Sequence, residues 1–217
     1  MEILASIVAF IIAITFHEAA HAWMADKLGD PTARLMGRLS LNPIVHYDPI
    51  GTSILLILVI LHAFHFPVIP FGWAKPVRFD PYNLKYPRRD SALIALAGPV
   101  SNLLIAVIAS ILIRLAIAPF SPFGMLTIFL LPLIYLNVLL AVFNLLPIHP
   151  LDGGKIFIAL LPAREAADAD LFLNRYGMII LFFLIFASVN GSSPLTAFLG
   201  PLLNLILGIL LPGPALI

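Results

Sequence analysis

Between Ser91 and Ala118 the chain carries a single charged residue, Arg114. A run of that length leaves its backbone N–H and C=O groups no water to bond, so it crosses a bilayer as a helix. Residues 2–25 form a second such stretch, and residues 125–147 a third, interrupted by Pro132 and by the polar Asn137 and Asn144. Residues 176–190 and 195–211 are shorter. The segment Asn190-Gly191-Ser192-Ser193-Pro194 between them has turn chemistry, so the pair reads as a helical hairpin. Of the 217 residues, 61% are hydrophobic and only 11% charged, against about 25% charged in a soluble domain. The sequence predicts an all-α polytopic membrane protein. It has a three-helix core, a re-entrant or extended segment after the first helix, and a C-terminal hairpin at about 171–212. A single membrane-embedded domain is expected over 1–217, with its core in about 1–160.

Several classes fall away. A net charge of +1 gives no footprint for nucleic acid. With no cysteine there is neither a disulfide framework nor a thiolate metal site. The N-terminal stretch lacks a basic leader region and a cleavage site, so it is expected to be a retained helix.

Basic residues orient the chain. Lys27, Arg34 and Arg38 precede the apolar run 51–66, and Lys75, Arg78, Lys85, Arg88 and Arg89 follow it. Both flanks read as cytoplasmic, so 51–66 is expected to dip in and return. Lys155, Arg164 and Arg175 then fall on the same side, and Arg114 is the exception. The N-terminus comes out external and the C-terminus cytoplasmic.

Within the first stretch lies His17-Glu18-Ala19-Ala20-His21. On a helix, positions i and i+4 share a face, so both imidazoles can reach one ion, with Glu18 beside them as a general base. If the helix ends near Lys27, the pair lies roughly 9–15 Å inside its cytoplasmic end. Ionisable groups at that depth are costly and mark functional sites. A catalytic zinc takes three protein ligands. The candidates for the third are His46, His62, His65, His149, Asp48 and Asp152. Asp152 is favoured, because it follows the 125–147 helix on the cytoplasmic side, where Pro147, Pro150, Gly153 and Gly154 break the helix and let a carboxylate turn inward. Standing alone, the H-E-x-x-H pattern also describes a buried polar cluster between helices.

Three motifs in this order carry a resemblance: the HEAAH pentapeptide, Ala97-Gly98-Pro99 followed by Asn102, and Asn144-x-x-Pro147-x-x-x-Leu151-Asp152-Gly153. Over roughly residues 10–160 the chain resembles the site-2 protease family of intramembrane zinc metalloproteases, peptidase family M50. Leu41-Asn42-Pro43, Asp48-Pro49-x-Gly51-Thr52 and Gly72-Trp73-Ala74-Lys75-Pro76-Val77 resemble its compact prokaryotic branch without a PDZ domain. The resemblance implies one Zn2+ per chain, held by His17, His21 and Asp152, with Glu18 as general base. It implies that Asn144 faces the active site and that the stretch containing Gly72, Lys75 and Pro76 lies beside the substrate as an extended edge. His149 stands where relatives commonly have proline.

The function expected from this is hydrolysis of peptide bonds within or near transmembrane segments of other membrane proteins, as in regulated intramembrane proteolysis. The partners are the bilayer and the substrate helix; the oligomeric state is open. Asn144 and Asn102 keep two readings, as oxyanion or substrate contacts and as interhelical hydrogen-bond glue. A metal-ion transporter would need polar groups on several helices along a path through the membrane, and here they cluster at one depth. An inactive scaffold is the third reading, and the intact Glu18 and ligand set argue against it.

Overall fold

The computed structural model describes residues 2–63, 75–118, 122–187 and 193–211. Among them are eight α-helices and no strand. These are α1 (Glu2–Lys27), α2 (Thr32–Leu35), α3 (Gly51–Ala63), α4 (Pro87–Ala116), α5 (Thr127–Asn144), α6 (Asp152–Leu160), α7 (Ala163–Phe186) and α8 (Pro194–Leu210). Four spans are long and apolar enough to cross a membrane: Ile3–Lys27, Pro87–Ala116, Gly124–Asn144 and Ala163–Phe186.

The three-helix core follows from a four-residue repeat. On α1, Ala5, Ala9, Ala13, His17, His21 and Ala25 recur every fourth position, and all are buried. On α4, Ile94, Gly98, Asn102, Ala106 and Ser110 do the same. Residues four apart share a helix face, and small side chains let two backbones approach closely in lipid. The helices run antiparallel, with His21 beside Ile94 and Ala13 beside Asn102. Helix α5 closes the triangle, packing Leu130, Ile134, Val138 and Val142 with Ala109 and Ile113. The two histidines therefore occupy the small-residue ridge that faces α4.

Helix α3 has 13 residues, about 20 Å at 1.5 Å per residue, short of a roughly 30 Å hydrocarbon core. Lys75 N–H donates to His46 O at 3.0 Å. The chain thus leaves and rejoins one point around α3. The return through 64–74 lies outside the described residues.

Two features depart from the sequence reading. The apolar stretch expected from 176 is the second part of a longer helix, α7, which begins in the polar run at Ala163; no proline separates the two. Asp152 does not close the 125–147 helix but begins α6, which the loop-like prolines and glycines concealed. The last helix, α8, is tied at its end to α4. Ser110 Oγ donates to Leu210 O at 2.5 Å, and Arg114 Nη2 donates to Ile209 O at 3.0 Å and Leu210 O at 3.3 Å. Arg114 lies at the end of α4 beside the start of α1. So the end of α8 lies against the end of α4. The physical reason is capping: the last carbonyls of α8 have no partner within the helix, and the guanidinium supplies donors at the negative end of its dipole.

Asp30 ties the loop after α1 to the segment before α4. Its Oδ1 accepts from Thr32 Oγ1 at 2.5 Å and from Asn83 Nδ2 at 2.8 Å, and its Oδ2 accepts from Asp80 N–H at 2.8 Å. Burial pushes the carboxyl up, but the bonds from Thr32, Asn83 and Asp80 outweigh it and hold the group below its ordinary range. A lowered folded value means that this stabilisation is complete above the ordinary carboxylate range and is lost as pH falls through the folded value. Asp30→Ala is expected to cost about 3 kcal/mol near neutral pH. Thermal melts of the purified protein should show that deficit shrink on acidification below about pH 4; a deficit that grows on acidification contradicts the assignment.

Candidate metal centre

His17 and His21 project from the α1 ridge onto α4, and their ring planes stand at 87° with centroids 4.6 Å apart. Each ring is held from behind. His17 Nδ1 donates to Asn102 Oδ1 at 2.6 Å, and His21 Nδ1 donates to Ile94 O at 2.7 Å. With both Nδ1 atoms acting as donors, both Nε2 atoms carry their lone pair forward.

The third group arrives from α6. Helix α5 ends at Asn144, the chain turns through 145–151, and Asp152 opens the next helix. Gly153 makes this turn possible, since a Cβ there would lie 2.3 Å from both Leu145 O and Leu146 O. Arg88 holds the other end of α6, donating through Nε to Ile158 O at 3.2 Å and through Nη2 to Ala159 O at 3.0 Å. Asp152 Oδ2 then stands 3.1 Å from His17 Nε2 and 3.2 Å from His21 Nε2. The three candidate ligand atoms all lie within 4.8 Å of one another. In a tetrahedral zinc site with bonds of about 2.0–2.1 Å, ligand atoms sit about 3.3 Å apart. The two imidazoles and the carboxylate fit that ion.

Glu18 lies beside the cluster and is buried. Its Oε2 accepts the backbone N–H of Val77 at 3.0 Å. The strip Lys75–Val77 therefore runs directly over Glu18. Its two N–H groups are engaged on the protein side, by Glu18 and by His46 O, and Pro76 has none. Lys155, one turn after Asp152, places Nζ 4.9 Å from the centroid of the Phe79 ring, which fastens the strip to α6.

The other sequence candidates have partners of their own. Asn102 is fully buried behind His17, with its amide nitrogen donating to Ala13 O at 3.0 Å and Asn137 Oδ1 at 2.8 Å. Asn144 Nδ2 donates back to Leu140 O at 2.9 Å within its own helix. His46 bonds Ser40 O at 2.9 Å, and Asp48 Oδ1 accepts from the N–H groups of Ile50 and Gly51 at the start of α3. His149 Nε2 meets Asp170 Oδ1 of α7 at 3.2 Å. Gly72 and His65, and the side chain of His62, lie outside the described residues. Sequence reasoning missed Arg88, Asn137 and the bond from Val77 to Glu18. For Asn137 a signal existed, a lone amide in the middle of an apolar helix.

Comparison with known proteins follows the same line. The family description "Peptidase family M50" matches residues 112–188, which include Asp152. "Putative zinc metalloprotease YwhC" of Bacillus subtilis is 39% identical over 193 residues, covering 86% of this chain and 81% of that one. "Putative zinc metalloprotease Rip2" of Mycolicibacterium smegmatis is 30% identical over 181 residues, covering 82% of this chain and 65% of its own. "Putative zinc metalloprotease Rip2" of Mycobacterium tuberculosis is 27% identical over 188 residues, covering 85% and 68%. No solved structure matches.

Proposed function

Because this chain belongs to peptidase family M50, we propose that it is a zinc metalloprotease that cuts peptide bonds within or near transmembrane segments of other membrane proteins. The observation that carries the reading is the convergence of His17 Nε2, His21 Nε2 and Asp152 Oδ2 from two helices, with Glu18 alongside. His17, His21 and Asp152 hold the ion. Bound there, zinc supplies a Lewis acid that polarises a carbonyl and makes water acidic near neutral pH. Glu18 takes a proton at its carboxylate and returns it to the departing amine. The Val77 N–H fixes one oxygen of Glu18, so the plane of the base is set before substrate arrives.

The substrate class follows from where these residues stand. His17, Glu18 and His21 lie on a helix long and apolar enough to span a membrane, which favours a membrane-embedded substrate. A transmembrane helix reaches the centre laterally and must first unwind, since its carbonyls are already hydrogen-bonded. The end of the bundle that carries the centre also carries Lys27, Arg34, Arg38, Arg88 and Arg89, which supports a cytoplasmic side for it and an external start for α1 in this reading. The whole chain serves as one catalytic domain in this reading.

Metal removal tests it. The protein in liposomes with a membrane-embedded reporter is expected to lose cleavage on chelation and to regain it with one equivalent of zinc. Cleavage that persists in the metal-free protein overturns the proposal.

A further inference from the structure

We propose that Asn137 is a positioning residue for the metal centre, acting on His17 through Asn102. The proposal rests on the reading of His17, His21 and Asp152 as zinc ligands.

Two backbone carbonyls, which can only accept, fix the orientation of both amides. Asn137 Nδ2 faces Leu133 O at 2.8 Å. That end of the side chain is therefore the amine, and Oδ1 is the end that faces Asn102. An oxygen there demands a donor, so Asn102 presents its amine, Nδ2, at 2.8 Å. Ala13 O takes the other Nδ2 proton at 3.0 Å. With both amine protons committed, Asn102 Oδ1 is left pointing at His17 Nδ1, 2.6 Å away. An amide oxygen cannot donate, so the proton lies on Nδ1 and the lone pair on Nε2, the atom nearest Asp152.

Placement makes this more than a local convenience. Asn102 and Asn137 are both fully buried, at 0% exposure, inside apolar helices where an unpaired amide is costly. Every polar atom of the pair has a partner. The chain of bonds crosses the core from α5 through α4 to α1, so the position of α5 is read out at a candidate zinc ligand. An imidazole that holds a metal is commonly fixed through its other nitrogen, and losing such support costs about 10–100-fold in affinity. Here the support has a support of its own. Without Asn137, one amine proton of Asn102 is orphaned, and only Ala13 O resists rotation of the amide.

The test uses the full chain in detergent and measures zinc affinity by chelator competition beside thermal melting of the metal-free forms. Asn137→Leu, similar in size but unable to accept, is expected to weaken zinc binding about 10-fold, and Asn102→Ala up to about 100-fold. The double variant is expected to bind no worse than Asn102→Ala alone, because Asn137 acts only through Asn102. If Asn137→Leu does not fold, Asn137→Val, smaller and equally unable to accept, carries the same expectation. Unchanged affinity in the Asn137 variant overturns the proposal, and so do losses that add in full, which mark simple packing. Asp152→Ala reports on the ligand reading separately: full zinc retention there removes the centre itself, whatever the asparagines do.

Discussion

Glu18→Gln is expected to abolish cleavage and to leave zinc in place. The carboxylate is next to His17 in the chain but is not among the three converging ligand atoms, so its loss does not empty the centre. Its structural bond survives the substitution, because a glutamine Oε1 accepts the Val77 N–H as Glu18 Oε2 does at 3.0 Å. What disappears is the ability to hold a proton and give it back. General acid–base groups contribute about 10²–10⁴-fold, and here one residue serves both directions, so a loss of about 10³-fold or more in kcat is expected. Melting temperature and bound zinc should match the wild type. A transporter or a scaffold would be indifferent to this change, which makes the variant decisive among the three readings of the sequence. Equal cleavage by wild type and Glu18→Gln would remove Glu18 from the chemistry.

How much of this was legible in the sequence depends on how local each feature is. His17 and His21 are related by covalent spacing on one helix, so their shared face could be read before any fold was known. Asp152 required one more step, the charge asymmetry that sets it at the same end as the histidines. The structure keeps Asp152 beside them but on a separate helix, whose start the glycines had disguised as irregular chain. The boundary at 170–176 failed for a related reason: polarity marked the water line, and a helix can cross it without breaking. The partners of Arg114 could not be read by counting charges, because they are backbone carbonyls of α8, and carbonyls have no signature in a sequence. The same is true of the Val77 N–H on Glu18. The ridge from Ala5 to Ala25 was open to inspection. Small residues every four positions, with two histidines in the series, state that the histidines face a neighbouring backbone at close range.

That close range sets the second large effect. Gly98→Ala is expected to destroy zinc binding with the smallest side chain that can be added. A Cβ on Gly98 would lie 2.5 Å from His21 Nε2 and 2.6 Å from both His17 Cε1 and His21 Cε1. Real carbon–nitrogen contacts do not approach so closely, so something must move. The rings cannot retreat, since His17 is bonded to Asn102 at 2.6 Å and His21 to Ile94 O at 2.7 Å. Helix α4 cannot retreat either without opening the small-residue ridge along its whole contact with α1. The methyl would also stand near the forward face of His21 Nε2, where an ion would bind at about 2.0–2.1 Å. Either the imidazoles rotate away from Asp152 or the ion is crowded out, and a loss of at least about 100-fold in zinc affinity follows. Gly200→Ala is the matched control. It also lies inside an apolar helix, but its Cβ would meet nothing within 4 Å, and alanine is the better helix former by about 1 kcal/mol. Metal analysis of the two purified variants should show zinc absent from the first and unchanged in the second. Zinc and activity retained in Gly98→Ala would mean that α1 and α4 do not meet at the distance on which the whole centre is built.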